Sequence, residues 1–220
     1  MVRPAKLDVF LNGSRTYVQG TQIIARSSEA LFGQGRGVLR QATFHKITDR
    51  LVTMVQSDLA QDFSGTSVGR GIFENEAGVT MPVTWFEQDG PAPKYDRPPT
   101  CKWLRQDCEQ THRLSAKFSL AELQNGEDFL VALIQTIKEL HSALADDVTS
   151  IWFTGLRRAN IPVTAFPVSS GTLTICGERF VGRDGEFQSM QRISFEQGQG
   201  DPVTAVVTFA FKSKEFSHVD

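Results

Sequence analysis

Apolar residues recur at helical spacing in two widely separated segments of the chain. The later segment, Glu127 to Asp146, has a wide apolar stripe made of Phe129, Leu130, Leu133, Ile134, Ile137, Leu140 and Leu144. A helix that is apolar over so much of its circumference is typically wrapped by a sheet. The earlier helix is predicted over Thr21–Phe32, with Ile23, Ile24, Leu31 and Phe32 available for burial. The glycines that follow Phe32 should end it.

Segments of alternating or β-branched residues surround both predicted helices. One strand is predicted before each helix, over Lys6–Leu11 and His112–Leu120. Further strands are predicted after them, over Ala42–Gln56 in the first half and over Ser150–Val163 and Thr172–Val181 in the second. The pattern therefore predicts the order strand, helix, several strands, and predicts it twice.

The last strands of each half predict an internal repeat. Arg70 to Phe86 aligns with Arg192 to Phe209 through a shared Val-Thr-x-x-Val-Thr pattern, and both segments are typical of a β-hairpin. Between the halves, proline and glycine are densest, which predicts a linker over about 89–100. The predicted repeats are residues 1–93 and 94–220.

A strand, a long buried helix and an antiparallel run of strands, used twice, resembles an α+β architecture called the double hotdog, in which each sheet wraps around a central helix. That family includes acyl-thioester hydrolases, hydroxyacyl-carrier-protein dehydratases and the acyl-transferring synthases of A-factor-type signalling lactones. The resemblance implies an acyl thioester as ligand, carried on coenzyme A or an acyl carrier protein, no cofactor, and possible pairing as a homodimer. The alternative is a degenerate hotdog that binds a ligand or a protein without catalysis.

The family's site patterns fall on particular residues of this chain. Its dehydratases carry His-x-Pro-Gly before the helix and an acid within it, and the matching segment here is Tyr17-Val18-Gln19-Gly20, followed by Glu29. The resemblance implies substrate binding by Tyr17 and Gly20. Glu29 is implied to activate water or attack the thioester carbonyl. Glu127 or Asp128 could do the same beside the free amides that open the second helix.

Two histidines are candidates for acid–base chemistry. If Thr43–Arg50 is a strand, alternation places His45 and Asp49 on the same face, where the carboxylate would raise the basicity of the imidazole. Catalysis by His45 competes with the interpretation of a half-exposed strand histidine. His141 follows Leu140 on the second helix and is interpreted as a hydrogen-bonded histidine at the helix edge.

A second group of polar residues lies between two apolar runs. Arg157, Arg158 and Asn160 could bind the phosphates of coenzyme A or phosphopantetheine, because a guanidinium matches phosphate oxygens. Surface ion pairing is the competing interpretation. Gly65-Thr-Ser-Val-Gly69 matches a nucleophile pattern but precedes a predicted strand, whereas that pattern needs a helix.

Composition excludes several classes of protein. Apolar residues are 40% and charged residues 22%, which is typical of a packed domain. A net charge of −2 gives no attraction to nucleic acid, and no apolar run is long enough for a membrane span. Cys101, Cys108 and Cys176 have no zinc-like spacing, so no metal site is expected, and Cys176 is predicted in the core. The charged N-terminus lacks a signal-peptide pattern, which predicts a cytoplasmic protein.

Overall fold

In the part of the first half that the structure describes, the chain forms one helix and seven strands. The computed structural model describes residues 4–12, 15–33, 35–56, 60, 63–95, 104–112, 115–143, 148, 150–163, 170–183, 185–198 and 201–213. In chain order the elements of the first half are β1 (Ala5–Leu7), β2 (Leu11–Asn12), α1 (Gly20–Phe32), β3 (Gly37–Phe44), β4 (Arg50–Gln56), β5 (Ser67–Asn75), β6 (Thr80–Pro91) and β7 (Lys94–Tyr95).

The second half has the same kind of order. Its elements are β8 (Leu104–His112), β9 (Ser115–Ala121), α2 (Gly126–Ser142), β10 (Ser150–Arg157), β11 (Ile161–Pro162), β12 (Gly171–Arg183), β13 (Glu186–Glu196) and β14 (Val203–Lys212). Both predicted helices are confirmed. Each begins one residue before its predicted start, and α2 ends at Ser142, whereas the prediction continued to Asp146.

Strands of both halves join one antiparallel sheet of twelve strands. Its order is β1-β4-β6-β5-β3-β10-β14-β13-β12-β9-β8, and β11 pairs with β3 beside this path. The halves meet where Thr43 and Ala42 of β3 pair with Gly155 and Leu156 of β10. β2 and β7 form a separate parallel pair. Because the sheet continues across this junction, the boundary between residues 93 and 94 stays a prediction.

The two terminal hairpins occupy the sheet in opposite orders. In the first half β5, the first strand of its hairpin, pairs with the central strand β3. In the second half β14, the second strand of its hairpin, pairs with the central strand β10. A tight turn at Gly185 keeps β13 beside β12, whereas the longer connection from β4 to β5 places β5 beyond β6. The predicted sequence repeat is therefore not confirmed as a repeat of strand order.

The apolar stripe of α2 is buried as predicted. Leu133 and Ile137 are inaccessible to solvent, and the Phe129 ring lies 5.1 Å from the ring of Phe195 in the sheet. Six of the seven predicted positions are buried, and Leu144 lies outside the described residues. Among the described residues, neither helix is long and apolar enough to cross a membrane.

α1 combines apolar burial with one polar contact in the core. Ile23 and Ile24 are buried, while Phe32 is partly exposed. The buried Trp85 of β6 donates its indole N–H to Ser27 Oγ at 2.8 Å, and the Ser27 hydroxyl donates to Ile23 O at 2.7 Å. This contact fixes α1 against the sheet through a hydrogen bond that satisfies the buried indole.

Several predictions of strand extent are wrong. Ala42–Gln56 is divided into β3 and β4, and Ser150–Val163 is divided into β10 and β11. The strand expected over Lys6–Leu11 is interrupted after Leu7, and the chain resumes pairing in β2. The strand expected over His112–Leu120 is divided between two strands, because His112 ends β8 and pairs with Ser115 of the antiparallel strand β9. β6 continues to Pro91, three residues into the predicted linker, where Pro91 pairs with Arg50 at the end of the strand.

Cys176 is exposed, which corrects its predicted place in the core. β12 buries Leu173 and Ile175, so alternation turns the intervening and following side chains away from the helices. Cys101 and the side chain of Cys108 lie outside the described part of the chain.

Candidate active site at the start of the first helix

A cavity of about 90 Å³ lies between the start of α1 and the middle of α2. The segments before α1 and after β3 form one side, and β10 forms another. The lining residues are Arg15, Tyr17, Val18, Gln19, Gly20, Thr21, Ile23, Phe44, Lys46, Ile47, Thr48, Val131, Ile134, Gln135, Lys138, Trp152 and Phe153. Both halves of the chain therefore contribute to it.

The first turn of α1 faces this cavity without a capping side chain. Gln19 takes the N-cap position in an extended conformation, makes no side-chain capping bond, and no acidic residue occupies the first turn. Ile23 N is the first helical amide to bond within the helix, to Gln19 O at 3.2 Å. The preceding segment is held by Val18 N, which donates to Thr48 O at 2.8 Å. The amides that open α1 are therefore placed at the cavity.

Aromatic side chains form the apolar wall of the cavity. The Phe44 ring stacks on Trp85 at 5.1 Å between centroids and lies 5.7 Å from the ring of Phe153. A Cβ atom on Gly20 would lie 2.8 Å from Cε2 of Phe44. Glycine at this position thus lets the helix begin directly on the aromatic wall.

Basic side chains form the polar side of the cavity. Lys138 of α2 is half-buried, and this burial, with the nearby charge of Arg15, lowers its pKa to about 8. Arg15 donates to the amide oxygen of Gln19, with Nε at 2.6 Å, once that amide is oriented toward the guanidinium. Lys46 lies at the rim and forms an ion pair with Glu87 at 2.6 Å.

Of the residues predicted to form the site, Tyr17 and Gly20 line the cavity. Glu29 does not, because it lies nine residues after Gly20, or about 13.5 Å further along the helix axis. It is exposed and forms an ion pair with Arg26. The catalytic role of Glu29 therefore stays a prediction, without support from the position of the cavity.

The strand that was expected to align His45 with Asp49 ends at Phe44. The segment between β3 and β4 is not extended in the sheet, so the alternation argument for this pair is wrong. Both side chains are exposed. His45 Nε2 lies 2.9 Å from Ser67 O, and Asp49 accepts a bond from Ala92 N through its backbone oxygen. Neither lines the cavity, and their catalytic roles stay predictions.

Arg157, Arg158 and Asn160 lie at the end of β10, away from the cavity. Both arginines are exposed, and Arg158 turns the chain with φ of 50°. Asn160 connects the segment after β10 to β14. Its Oδ1 accepts a hydrogen bond from Thr204 N at 2.5 Å, and its Nδ2 donates to Pro202 O at 3.0 Å. The phosphate-binding role of these residues stays a prediction.

The start of α2 is capped and covered. Asn125 Oδ1 accepts from Asp128 N at 2.9 Å, and the Asp128 carboxylate accepts from Gln124 N at 3.0 Å. A Cβ atom on Gly126 would lie 2.2 Å from Pro162 O of β11. The Asp128 amide is thus capped by Asn125, and the first residue of α2 lies against the backbone of β11.

Glu127 of α2 is a partly buried acidic residue near the start of the helix. Burial raises the pKa of its carboxyl group, and Arg26, whose Nη2 lies 3.7 Å away, opposes that shift. The pair joins α1 to α2 next to Glu29.

His141 is a buried structural residue. Its Nδ1 lies 2.7 Å from Ile137 O, and its Nε2 lies 2.6 Å from Ser189 Oγ and 3.3 Å from the Gln191 amide. Burial lowers the pKa of His141, so the neutral ring is favoured. The prediction of a hydrogen-bonded histidine is confirmed, although the ring lies in the core and not at the helix edge.

Sequence reasoning did not find the basic side of the cavity. Lys138 lies four residues after Ile134, on the face of α2 that carries the apolar stripe, and this placement was the available signal. Arg15 lies two residues before Tyr17 and adjoins the segment matched to the dehydratase pattern.

Comparison with known proteins identifies the fold but not a sequence family. No protein-family model matches the chain, and no curated protein matches its sequence. A solved protein of unknown function with a hot dog fold, from Alicyclobacillus acidocaldarius, is 10% identical with a TM-score of 0.51, over 97% of this chain and 92% of that one. This chain has the hotdog fold.

Two further hotdog neighbours have names connected with function. An isomerase-inactive variant of GphF DH1, a dehydratase, is 12% identical with a TM-score of 0.51, over 95% of this chain and 87% of its own. The tesB protein of Mycobacterium avium subs paratuberculosis is 13% identical with a TM-score of 0.50, over 92% of this chain and 91% of its own. At these identities the likeness establishes the hotdog fold alone.

Proposed function

We propose that this chain binds acyl thioesters, on coenzyme A or an acyl carrier protein, in the cavity at the start of α1. One observation carries the proposal: an uncapped helix start and an aromatic wall face the same small cavity. The free amides of a helix start attract a polarised carbonyl oxygen, and they stabilise the oxyanion that forms when a thioester is attacked. The aromatic wall suits the apolar part of an acyl group.

The thioester carbonyl would point at the amides of Gly20 and Thr21, and the acyl chain would lie along Phe44 and Phe153. Arg157 and Arg158, exposed at the end of β10, are candidates for contact with the phosphates of the carrier. The fold shared with GphF DH1, a dehydratase, supports acyl-thioester chemistry.

Tyr17 and Lys138 are the groups in the cavity best placed to move a proton. Lys138, with its pKa lowered to about 8, can exchange a proton near neutral pH, as a general acid or base requires. Hydrolysis, dehydration and acyl transfer all use such a step, and all three stay open. The predicted catalytic roles of Glu29, His45 and Asp49 are tested together with those of Tyr17 and Lys138.

A non-catalytic binding module is the second candidate. It is favoured by Tyr17, which stands where the dehydratase pattern has histidine, and by the described lining of the cavity, which includes neither a carboxylate nor an imidazole. Both candidates use the same cavity, so they differ in turnover and not in the place of binding.

Thermal denaturation with a panel of acyl-coenzyme A thioesters, read together with free thiol release, tests the proposal. Ligand at a hundred times its dissociation constant should add about 2.7 kcal/mol of stability. Gln135→Trp, which fills the cavity from an exposed helix position, should abolish the shift, whereas Ala30→Trp, exposed on α1 outside the cavity, should keep it. A shift that survives Gln135→Trp would place binding elsewhere, and no shift across the panel would refute the binding of coenzyme A thioesters.

Turnover then separates the two candidates. Thiol release that Tyr17→Phe abolishes, with the thermal shift retained, would support an enzyme. Glu29→Gln, His45→Ala and Asp49→Asn test the predicted catalytic residues in the same way. A thermal shift without thiol release or any altered acyl product would support the binding module.

A further inference from the structure

Arg15 and Lys138 are like charges that line one small cavity. The charge of Arg15 is felt at Lys138, where it disfavours the ammonium form. Among the described residues, no carboxylate lies within ion-pair distance of either group, and the Arg15 guanidinium is held by a neutral amide, that of Gln19. A half-buried pair of cations without a counter-ion is unfavourable on its own.

Other partly buried cations of the chain have carboxylate partners. Arg40 forms a two-point ion pair with Glu74, with distances of 2.6 and 3.0 Å. Arg26 pairs with Glu29 and Glu127. The exposed Lys46, at the rim of the same cavity, also pairs with Glu87. Because no described carboxylate pairs with Arg15 or Lys138, the cavity is a candidate binding site for an anion.

We propose that Arg15 and Lys138 bind a carboxylate carried by the acyl group, so that the ligand is a thioester of a short dicarboxylic acid. This inference rests on the proposed function, because it places the thioester carbonyl at the start of α1. The cations line the same small cavity as that helix start, so they can reach a group only a few bonds from the carbonyl. A carrier phosphate lies at the opposite end of the long pantetheine arm. A carboxylate also matches the donors of a guanidinium and an ammonium.

Calorimetric titration with two amide analogues of acyl-pantetheine thioesters, succinyl and butyryl, tests this inference. The analogues resist hydrolysis, have acyl chains of equal length and contain no phosphate, so they differ in charge only at the acyl end. The wild-type protein should bind the succinyl analogue about tenfold more tightly, the scale of one charged hydrogen bond. Lys138→Met and Arg15→Gln should each remove most of this preference, and Lys138→Arg should retain it. Lys117→Met, at an exposed lysine of β9, is the matched control and should leave it unchanged.

Three outcomes would overturn the inference, and they separate it from the proposed function. Equal affinity for the two analogues would refute the carboxylate site while leaving thioester binding intact. A loss on Lys138→Met that appears only with phosphopantetheine compounds would assign the cations to the carrier phosphate. No binding of either analogue would refute thioester binding and this inference together.

Discussion

The two helices begin at comparable places in their halves, but the surroundings of their first turns differ. α1 starts at Gly20 without a side-chain cap and faces a cavity. α2 starts at Gly126 with a side-chain cap, because Asn125 accepts a hydrogen bond from Asp128 N, and the backbone of β11 lies against its first residue. A capping side chain is worth about 1 kcal/mol. The first helix lacks this stabilisation at the position where a ligand can bind, which is the pattern expected of a functional site.

Charge separates the two helix starts as clearly as capping does. Glu127 and Asp128 occupy the first turn of α2, where carboxylates interact favourably with the helix dipole. The first turn of α1 has no acidic residue, and Arg15 and Lys138 lie close to it. At α1, a bound anionic or polarised ligand would therefore supply the negative charge that Glu127 and Asp128 supply at α2. The comparison locates the candidate site at only one of the two helix starts.

The largest expected difference is between two glycine substitutions. Gly126→Ala should lower the free energy of unfolding by about 3 kcal/mol, because its Cβ would meet the backbone of β11, which cannot move independently. Gly20→Ala should cost about 1 kcal/mol or less, because its Cβ meets the rings of Phe44 and Phe153, which border a cavity. Urea denaturation measures both values, provided that the dependence of the unfolding free energy on urea concentration is the same for both variants. Equal losses would mean that the start of α1 is packed as tightly as the start of α2.

A smaller effect is expected at the hydrogen bond between Ser27 of α1 and Trp85 of the sheet. Ser27→Ala should cost about 2 kcal/mol, because the buried indole N–H of Trp85 would lose its acceptor. Ser28→Ala is the matched control, since the neighbouring buried hydroxyl donates only to Ile24 O of the preceding turn. It should change stability by less than about 0.5 kcal/mol. Equal effects of the two substitutions would show that the Trp85 hydrogen bond contributes nothing specific.

Local sequence patterns predicted the two helices well but not the order of the strands. The α2 stripe from Phe129 to Leu140 could be read directly, because helical spacing is a local property of the chain. The order of β5 and β6 in the sheet depends on how the connection after β4 crosses the sheet. That choice is not local, so the similar hairpins of the two halves gave no sign that they are placed in reverse.

The candidate site was predicted only where a residue pattern marked it. Tyr17 and Gly20 matched a segment known in the family, and both line the cavity. His45 and Asp49 depended on a strand that ends at Phe44, so an error of a few residues in a strand boundary removed the argument for the pair. Lys138 escaped notice because a single lysine on a helix normally faces solvent. Only the packing of α2 against the segment before α1 places it in a cavity.

The smallest expected effect concerns the caps themselves. Asn125→Ala should destabilise the protein by about 1 kcal/mol, because Asp128 N would lose its acceptor at the start of α2. Gln19→Ala, at the equivalent position of α1, should cost only a few tenths of a kcal/mol, because the Gln19 side chain makes no capping bond. Gln19→Ala would also release Arg15 from the amide that holds it, so ligand affinity should fall more than stability does. Urea denaturation of both variants, with ligand titration of the second, separates these effects. A loss at Gln19 as large as that at Asn125 would mean that α1 is capped in solution and that its amides are not free for a ligand.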